Sequence, residues 1–180
     1  MKKIIYALIL PLVLLSGLVF ANLDIKNATS KKAIPKPPSA AEMKAARKIW
    51  EATPAGIMYK KWEASPAGIK VQAGASKINK SIRNFTNMEG VVTSLSLPQG
   101  SQLGFGMMVR INGDDYILAF GIEVNNEFEQ LHTLKVNDKI IIRSHSVSKA
   151  PKYSYPIVNG EFVERAGKIM YKRVPRKGGC

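Results

Sequence analysis

The residues of this chain that could act chemically are few and far apart. Its two histidines, His132 and His145, have no second His and no Cys at ligand spacing, so the pattern predicts no metal site. Asp114-Asp115 directly follow Asn112-Gly113, a hairpin turn in which acids are common for conformational reasons. Gly104-Phe105-Gly106 lacks the helix start and the Lys that a phosphate-cradling loop requires. Cys180 is the only cysteine and the last residue, so no intramolecular disulfide can form. Its thiol is either free or joined to another chain in an oxidising compartment. A prenylation box is excluded, because that needs the Cys four from the end. The expectation is a protein that is not an enzyme and carries no cofactor and no metal.

Binding chemistry is better represented. Tyr59, Lys60, Lys61 and Trp62 form one cluster, and tryptophan with lysine suits an interface with a partner or a membrane. Arg143, His145, Lys149, Lys152, Tyr153 and Tyr155 form a second, mixing cations with aromatics as an anion-binding edge would. Arg165, Lys168, Lys172, Arg173, Arg176 and Lys177 continue that basic character to the terminus.

The formal net charge is +14, and its distribution is uneven. Residues 22–83 hold thirteen Lys or Arg against four acids, and residues 149–180 hold eight against two. Residues 84–148 hold four against seven, so a mildly acidic middle lies between two basic ends. Such ends attract anionic matter: lipid headgroups, lipopolysaccharide, acidic polymer or nucleic acid.

The elements that must carry these groups follow in order. Lys2 and Lys3, the uncharged run from Ile4 to Phe20, and Val19-Phe20-Ala21 make the three parts of a secretory signal peptide, 1–21, cut after Ala21. No Cys follows the apolar run, so no lipoprotein is expected, and the chain reads as bacterial, periplasmic or secreted. Were the segment kept, it would hold the protein at the membrane. Residues 22–38 are a Pro- and Lys-rich linker ending in Ile34-Pro35-Lys36-Pro37-Pro38. Ser39-Ala40-Ala41-Glu42 has the spacing of a capping box, and Met43, Ala46, Ile49 and Trp50 fall on one helical stripe.

A helical arm over 39–83 contains a twelve-residue repeat. Trp50-Glu51-Ala52-Thr53-Pro54-Ala55-Gly56-Ile57 is echoed by Trp62-Glu63-Ala64-Ser65-Pro66-Ala67-Gly68-Ile69. Each copy pairs a hydroxyl residue with Pro, which suits an N-cap and the first helical position and disfavours helix before it. Each copy should therefore end one helix and start the next, and two copies are too few for a solenoid.

From Met88 the pattern turns to strands: 90–97, 105–111, 116–120, 139–143, 155–158, 160–163 and 169–171, with the strongest hairpin signal at Asn112-Gly113. Residues 126–134 suit a short helix. Glu89-Gly90-Val91-Val92, the Asn112-Gly113 hairpin, and Leu134-Lys135-Val136-Asn137-Asp138-Lys139-Ile140-Ile141-Ile142 together resemble the OB-fold, a five-stranded Greek-key barrel with a helix between its third and fourth strands. The resemblance spans roughly residues 86–173, and another small β-barrel or a sandwich fits the same strands. The expected architecture is α+β: a short-helix arm, then an OB-like five-stranded β-barrel over 84–174 and a basic tail, 175–180. OB-folds commonly bind single-stranded nucleic acid, but Arg110 is the only cation between Asn84 and Leu134, which makes a poor groove for it. OB-type nucleases need clustered acids and Arg near the first strands, which this chain lacks. The expected function is an exported binding module for an anionic ligand or an envelope protein; the alternatives are a structural part of an envelope or secretion assembly, and a single-stranded nucleic-acid binder.

Overall fold

The computed structural model describes residues 38–174. The expected signal peptide, the linker up to residue 37, the basic tail and Cys180 lie outside the described residues. From Ala41 onward helices and strands belong to one compact unit. The helices are α1 (Ala40–Glu51), α2 (Pro54–Glu63) and α3 (Pro66–Asn84). The strands are β1 (Met88–Ser94), β2 (Phe105–Ile111), β3 (Asp114–Gly121), β4 (Lys139–Arg143), β5 (Val147–Ser148), β6 (Ile157–Asn159), β7 (Phe162–Arg165) and β8 (Lys168–Lys172). None of the described helices is long and apolar enough to cross a membrane.

Each copy of the repeat forms a sharp corner between helices. Thr53 and Ser65 are extended, and Pro54 and Pro66 open the next helix. The Thr53 hydroxyl donates to the Trp50 carbonyl at 2.7 Å and accepts the Gly56 amide at 3.1 Å. Ser65 repeats this with Trp62 at 2.6 Å and Gly68 at 3.1 Å. One hydroxyl thus adds a second bond to a last-turn carbonyl of the ending helix, which also accepts the hydroxyl residue's own amide at 2.9 Å, and satisfies an orphan amide of the starting one. Gly56 and Gly68 are obligatory here, because a Cβ on either would overlap the preceding Trp carbonyl oxygen.

Helix α3 then lays Val71, Gly74, Ala75, Ile78 and Ile82 on the sheet, an i, i+3, i+4 spacing that makes one buried stripe. Ile78 and Ile82 join Val92, Val109, Ile111, Tyr116, Leu118, Phe120, Phe128 and Ile142 in the main core. The Tyr116 hydroxyl, inside that core, donates to the Gly74 carbonyl at 2.8 Å. Strand β3 is buried on both faces, since Ile117 and Ala119 enter a second cluster with Tyr153 and Ile157. This explains its uninterrupted apolar run.

The α+β class is as expected, but the strands form one open sheet in the order β5-β6-β3-β2-β1-β4-β7-β8 rather than a closed barrel of five. All neighbours are antiparallel except β3 and β6. The strands expected at 155–158 and 160–163 are both present, as β6 on β3 and β7 on β4, and β5 is a strand that was not expected. Gly160 marks the change of partner. Its amide donates to the Ala119 carbonyl at 2.7 Å, and a Cβ there would overlap the Phe120 ring. The helix expected over 126–134 is only a 3-10 turn at Leu131–Thr133. Asn125 and Asn126 adopt positive φ of 53° and 56°, which a right-handed helix cannot contain. Asn112-Gly113 forms the expected hairpin with φ of 50° and 85°, and Ala166-Gly167 forms an unforeseen one with 51° and 79°.

Candidate functional site

Strand β4 points Ile140 and Ile142 into the core and leaves Lys139, Ile141 and Arg143 on the other face. His145 follows two residues after Arg143. Across the ladder Arg143 faces Phe162 of β7, and its guanidinium carbon stands 3.7 Å from the centre of that ring. The Phe85 ring centre lies 5.7 Å from the same guanidinium carbon. Phe85 in turn stacks on the His145 imidazole, with centres 4.0 Å apart and planes 13° from parallel. The result is a layered shelf: Phe162, Arg143, Phe85, His145.

Phe85 reaches this place through an unusual backbone. It caps α3 in the left-handed conformation, φ 50° and ψ 39°, a position that favours glycine. The strain costs on the order of 1 kcal/mol and is offset by the ring's contacts with Arg143 and His145. Glu161 fixes the imidazole: its carboxylate accepts the His145 backbone amide at 3.2 Å and lies 2.6 Å from Nδ1. Ile169, Glu164, Lys172 and Arg173 complete a groove of about 710 Å³. Arg173 is committed to the fold, since Nη2 donates to the Gly160 carbonyl at 3.1 Å and to Asn159 Oδ1 at 3.3 Å. Arg143 differs. Its Nε is buried and meets no acceptor among the described residues. A buried donor left unpaired costs about 1–3 kcal/mol, and because Nε is out of reach of solvent, only the outer nitrogens of the guanidinium can meet a ligand.

A second groove, about 650 Å³, runs along the outer face of β1, β2, β4 and β7 between the tips of the two glycine hairpins. Its charges alternate in sign: Glu89, Arg110, Lys139 and Glu164. Arg110 is already forked onto Asp115, at 2.9 Å and 3.2 Å. This face offers no concentration of one charge.

The residues singled out from sequence separate into three fates. Arg143 and His145 come together in the shelf. Tyr153 is buried, its hydroxyl accepting the Gln102 amide at 3.2 Å, and half-buried Tyr155 packs on the same second cluster. Neither tyrosine is free to stack on a ligand. Lys149 is half-buried, and Lys152 holds its ammonium 5.8 Å from the centre of the Tyr153 ring. In the arm, Tyr59 lies between Trp50 and Trp62, with ring centres 5.5 Å and 5.3 Å away. Lys60 pairs with Glu51 at 2.8 Å, and Lys61 is exposed. Phe85, Glu161 and Phe162 were not foreseen as site residues. The i, i+2 spacing of Arg143 and His145 is the one signal that pointed to the shelf, since it puts both on one side of an extended chain. Among the described residues no group of three or more His, Cys, Asp or Glu is placed to hold a metal ion. Comparison with family models, with curated proteins and with solved structures finds no match to this chain.

Proposed function

We propose that this chain is an exported, non-enzymatic binding module whose β-domain has OB-like connectivity and takes an anionic group on the shelf beside Arg143. The connectivity reading rests on three pairings: β1 lies between β2 and β4, β3 runs parallel to β6, and β7 lies on β4. Only Gly160 and Glu161 separate β6 from β7. Taken as one bent strand, they join the two flanks of the sheet into a five-stranded ring like that of the OB-fold. Export rests on the signal-like first 21 residues.

The observation that carries the ligand reading is the Arg143 guanidinium, held over the Phe162 ring at the groove and bonded to no acceptor among the described residues. A carboxylate or phosphate oxygen in the groove would bond its outer nitrogens, Nη1 and Nη2, and such charge-assisted bonds are the strong ones. Single-stranded nucleic acid suits the shelf less well. The face of Phe85 is taken by His145, that of Phe162 by Arg143, and Tyr153 is buried. A short polyphosphate is the direct probe, titrated calorimetrically at low and at physiological salt. Arg143→Gln should weaken its binding about tenfold or more, the loss of one charge-assisted hydrogen bond. Equal affinity of wild type and Arg143→Gln, or binding insensitive to salt, would overturn the reading.

A further inference from the structure

The helical arm has a face that none of the described residues buries. Helix α1 contributes no buried residue at all. Met43, Ala46, Ile49 and Trp50 share one side of it, while Lys44 and Lys48 lie a half-turn away, at 100° per residue. Ile49 is 72 % exposed and Trp50 43 %. Beyond the first corner, Ile57 and Met58 of α2 are also open, Met58 at 73 %. Trp50 is held in place by the Tyr59 ring, and Glu51, paired with Arg47 and Lys60, stays on the polar side.

The charge of this segment is predominantly positive. Residues 40–84 carry nine Lys or Arg against three Glu, and Lys26, Lys31, Lys32 and Lys36 precede α1 closely in the chain. An apolar stripe with Trp and Ile, flanked by cations on long flexible stems, is the composition of a helix that lies in a bilayer interface. The same stripe is poorly matched to a second copy of this chain, because two such arms would bring like charges together.

We propose that α1 and the first corner dock on an anionic lipid surface, with Trp50, Ile49, Met43 and Met58 entering the boundary between headgroups and acyl chains and the lysines contacting the headgroups. This goes beyond ligand binding on the shelf and does not depend on it, since Arg143 takes no part. The mode is contact from one side, without a membrane span.

Tryptophan fluorescence of the full chain tests this at a defined place. In Trp62→Phe, Trp50 is the only tryptophan, so its emission reports on the arm whatever the first 21 residues do. Vesicles of phosphatidylcholine with a minority of phosphatidylglycerol should shift Trp50 emission to shorter wavelength, and brominated lipid in them should quench it. Vesicles of phosphatidylcholine alone should do neither. Ile49→Glu, at a position with no packing to lose, should weaken vesicle binding about tenfold or more, one isoleucine's worth of apolar burial, with an unchanged circular dichroism spectrum. Trp50 that stays unquenched in the anionic vesicles would overturn the proposal, as would equal quenching in uncharged ones. A blue shift without lipid, accompanied by dimers in sedimentation velocity, would assign the face to a second copy instead and equally overturn it.

Discussion

The two copies of the repeat make the same corner and lead to different outcomes. Trp50–Ile57 and Trp62–Ile69 place a hydroxyl between a Trp carbonyl and a Gly amide with nearly equal distances, 2.7 and 3.1 Å against 2.6 and 3.1 Å. Both are also clipped across the bend by corresponding positions. Lys60 reaches the Glu51 carboxylate at 2.8 Å, and twelve residues later Gln72 donates to the Glu63 carbonyl at 3.0 Å. Downstream they part. Val71, where the first copy has Tyr59, begins the buried stripe of a 19-residue helix, whereas α2 buries only Gly56. Local chemistry therefore sets the bend, and the residues after it decide whether the bend is tied to the core.

That contrast is broken most severely at the glycines. Gly68→Ala forces a Cβ into the Trp62 carbonyl and, to relieve it, must open the corner joining α2 to the core-bound α3. Chemical denaturation should show a loss of about 2–3 kcal/mol, the cost of overpacking against backbone. Gly56→Ala makes the same clash with Trp50. Nothing in α1 is buried, so global stability should fall by less than about 0.5 kcal/mol. Equal losses in the two variants would mean that α1 is tied to the fold by contacts as strong as those of α3.

The tie itself is the next point of attack. Tyr116 holds the second copy's helix through the Gly74 carbonyl, and the first copy has no equivalent. Burial pushes the Tyr116 hydroxyl from 10.0 up to about 12, with the neighbouring Asp114 charge acting in the same direction. The raised value fixes the sign: the neutral phenol is favoured in the fold, and its stabilisation is complete below pH 10. It is lost as the pH rises from 10.0 towards about 12, because the unfolded chain releases its proton first. Thermal melts should therefore fall steeply over that window. Tyr116→Phe should cost about 1 kcal/mol at neutral pH by removing the hydroxyl's bond to the Gly74 carbonyl, and should flatten the alkaline decline. An alkaline decline unchanged in Tyr116→Phe would assign it to other groups.

How much of this was readable follows the range of the interactions. Thr53-Pro54, Ser65-Pro66, Asn112-Gly113 and the Ile140–Ile142 run act over a few residues, and the structure has them where the sequence placed them. The break between the late strands is local, but their change of partner at Gly160 depends on a ring forty residues earlier, Phe120, and no local pattern reports it. Phe85 reads as the end of a helix, and its role comes from meeting His145 and Arg143 across sixty and fifty-eight residues. Tyr153 and Tyr155 have a composition that suits a binding edge, but the second cluster needed filling on the far side of β3, and burial there outweighs exposure.

The smallest test of the two corners is at their hydroxyls. Ser65→Ala removes the acceptor for the Gly68 amide and the donor to the Trp62 carbonyl, and loss of an N-cap costs about 1 kcal/mol. Because α3 unfolds with the core, that loss should register in full in the global denaturation midpoint. Thr53→Ala removes the same pair of bonds from a bend whose upstream helix has no buried residue. Its cost should fall on the arm alone: a small drop in helical circular dichroism, faster amide exchange at Gly56 and Ile57, and a midpoint unmoved. Exchange that stays slow at Gly56 in Thr53→Ala would show that Pro54 and the Lys60–Glu51 pair hold the bend without the hydroxyl. The shared octapeptide would then owe its geometry to proline more than to capping.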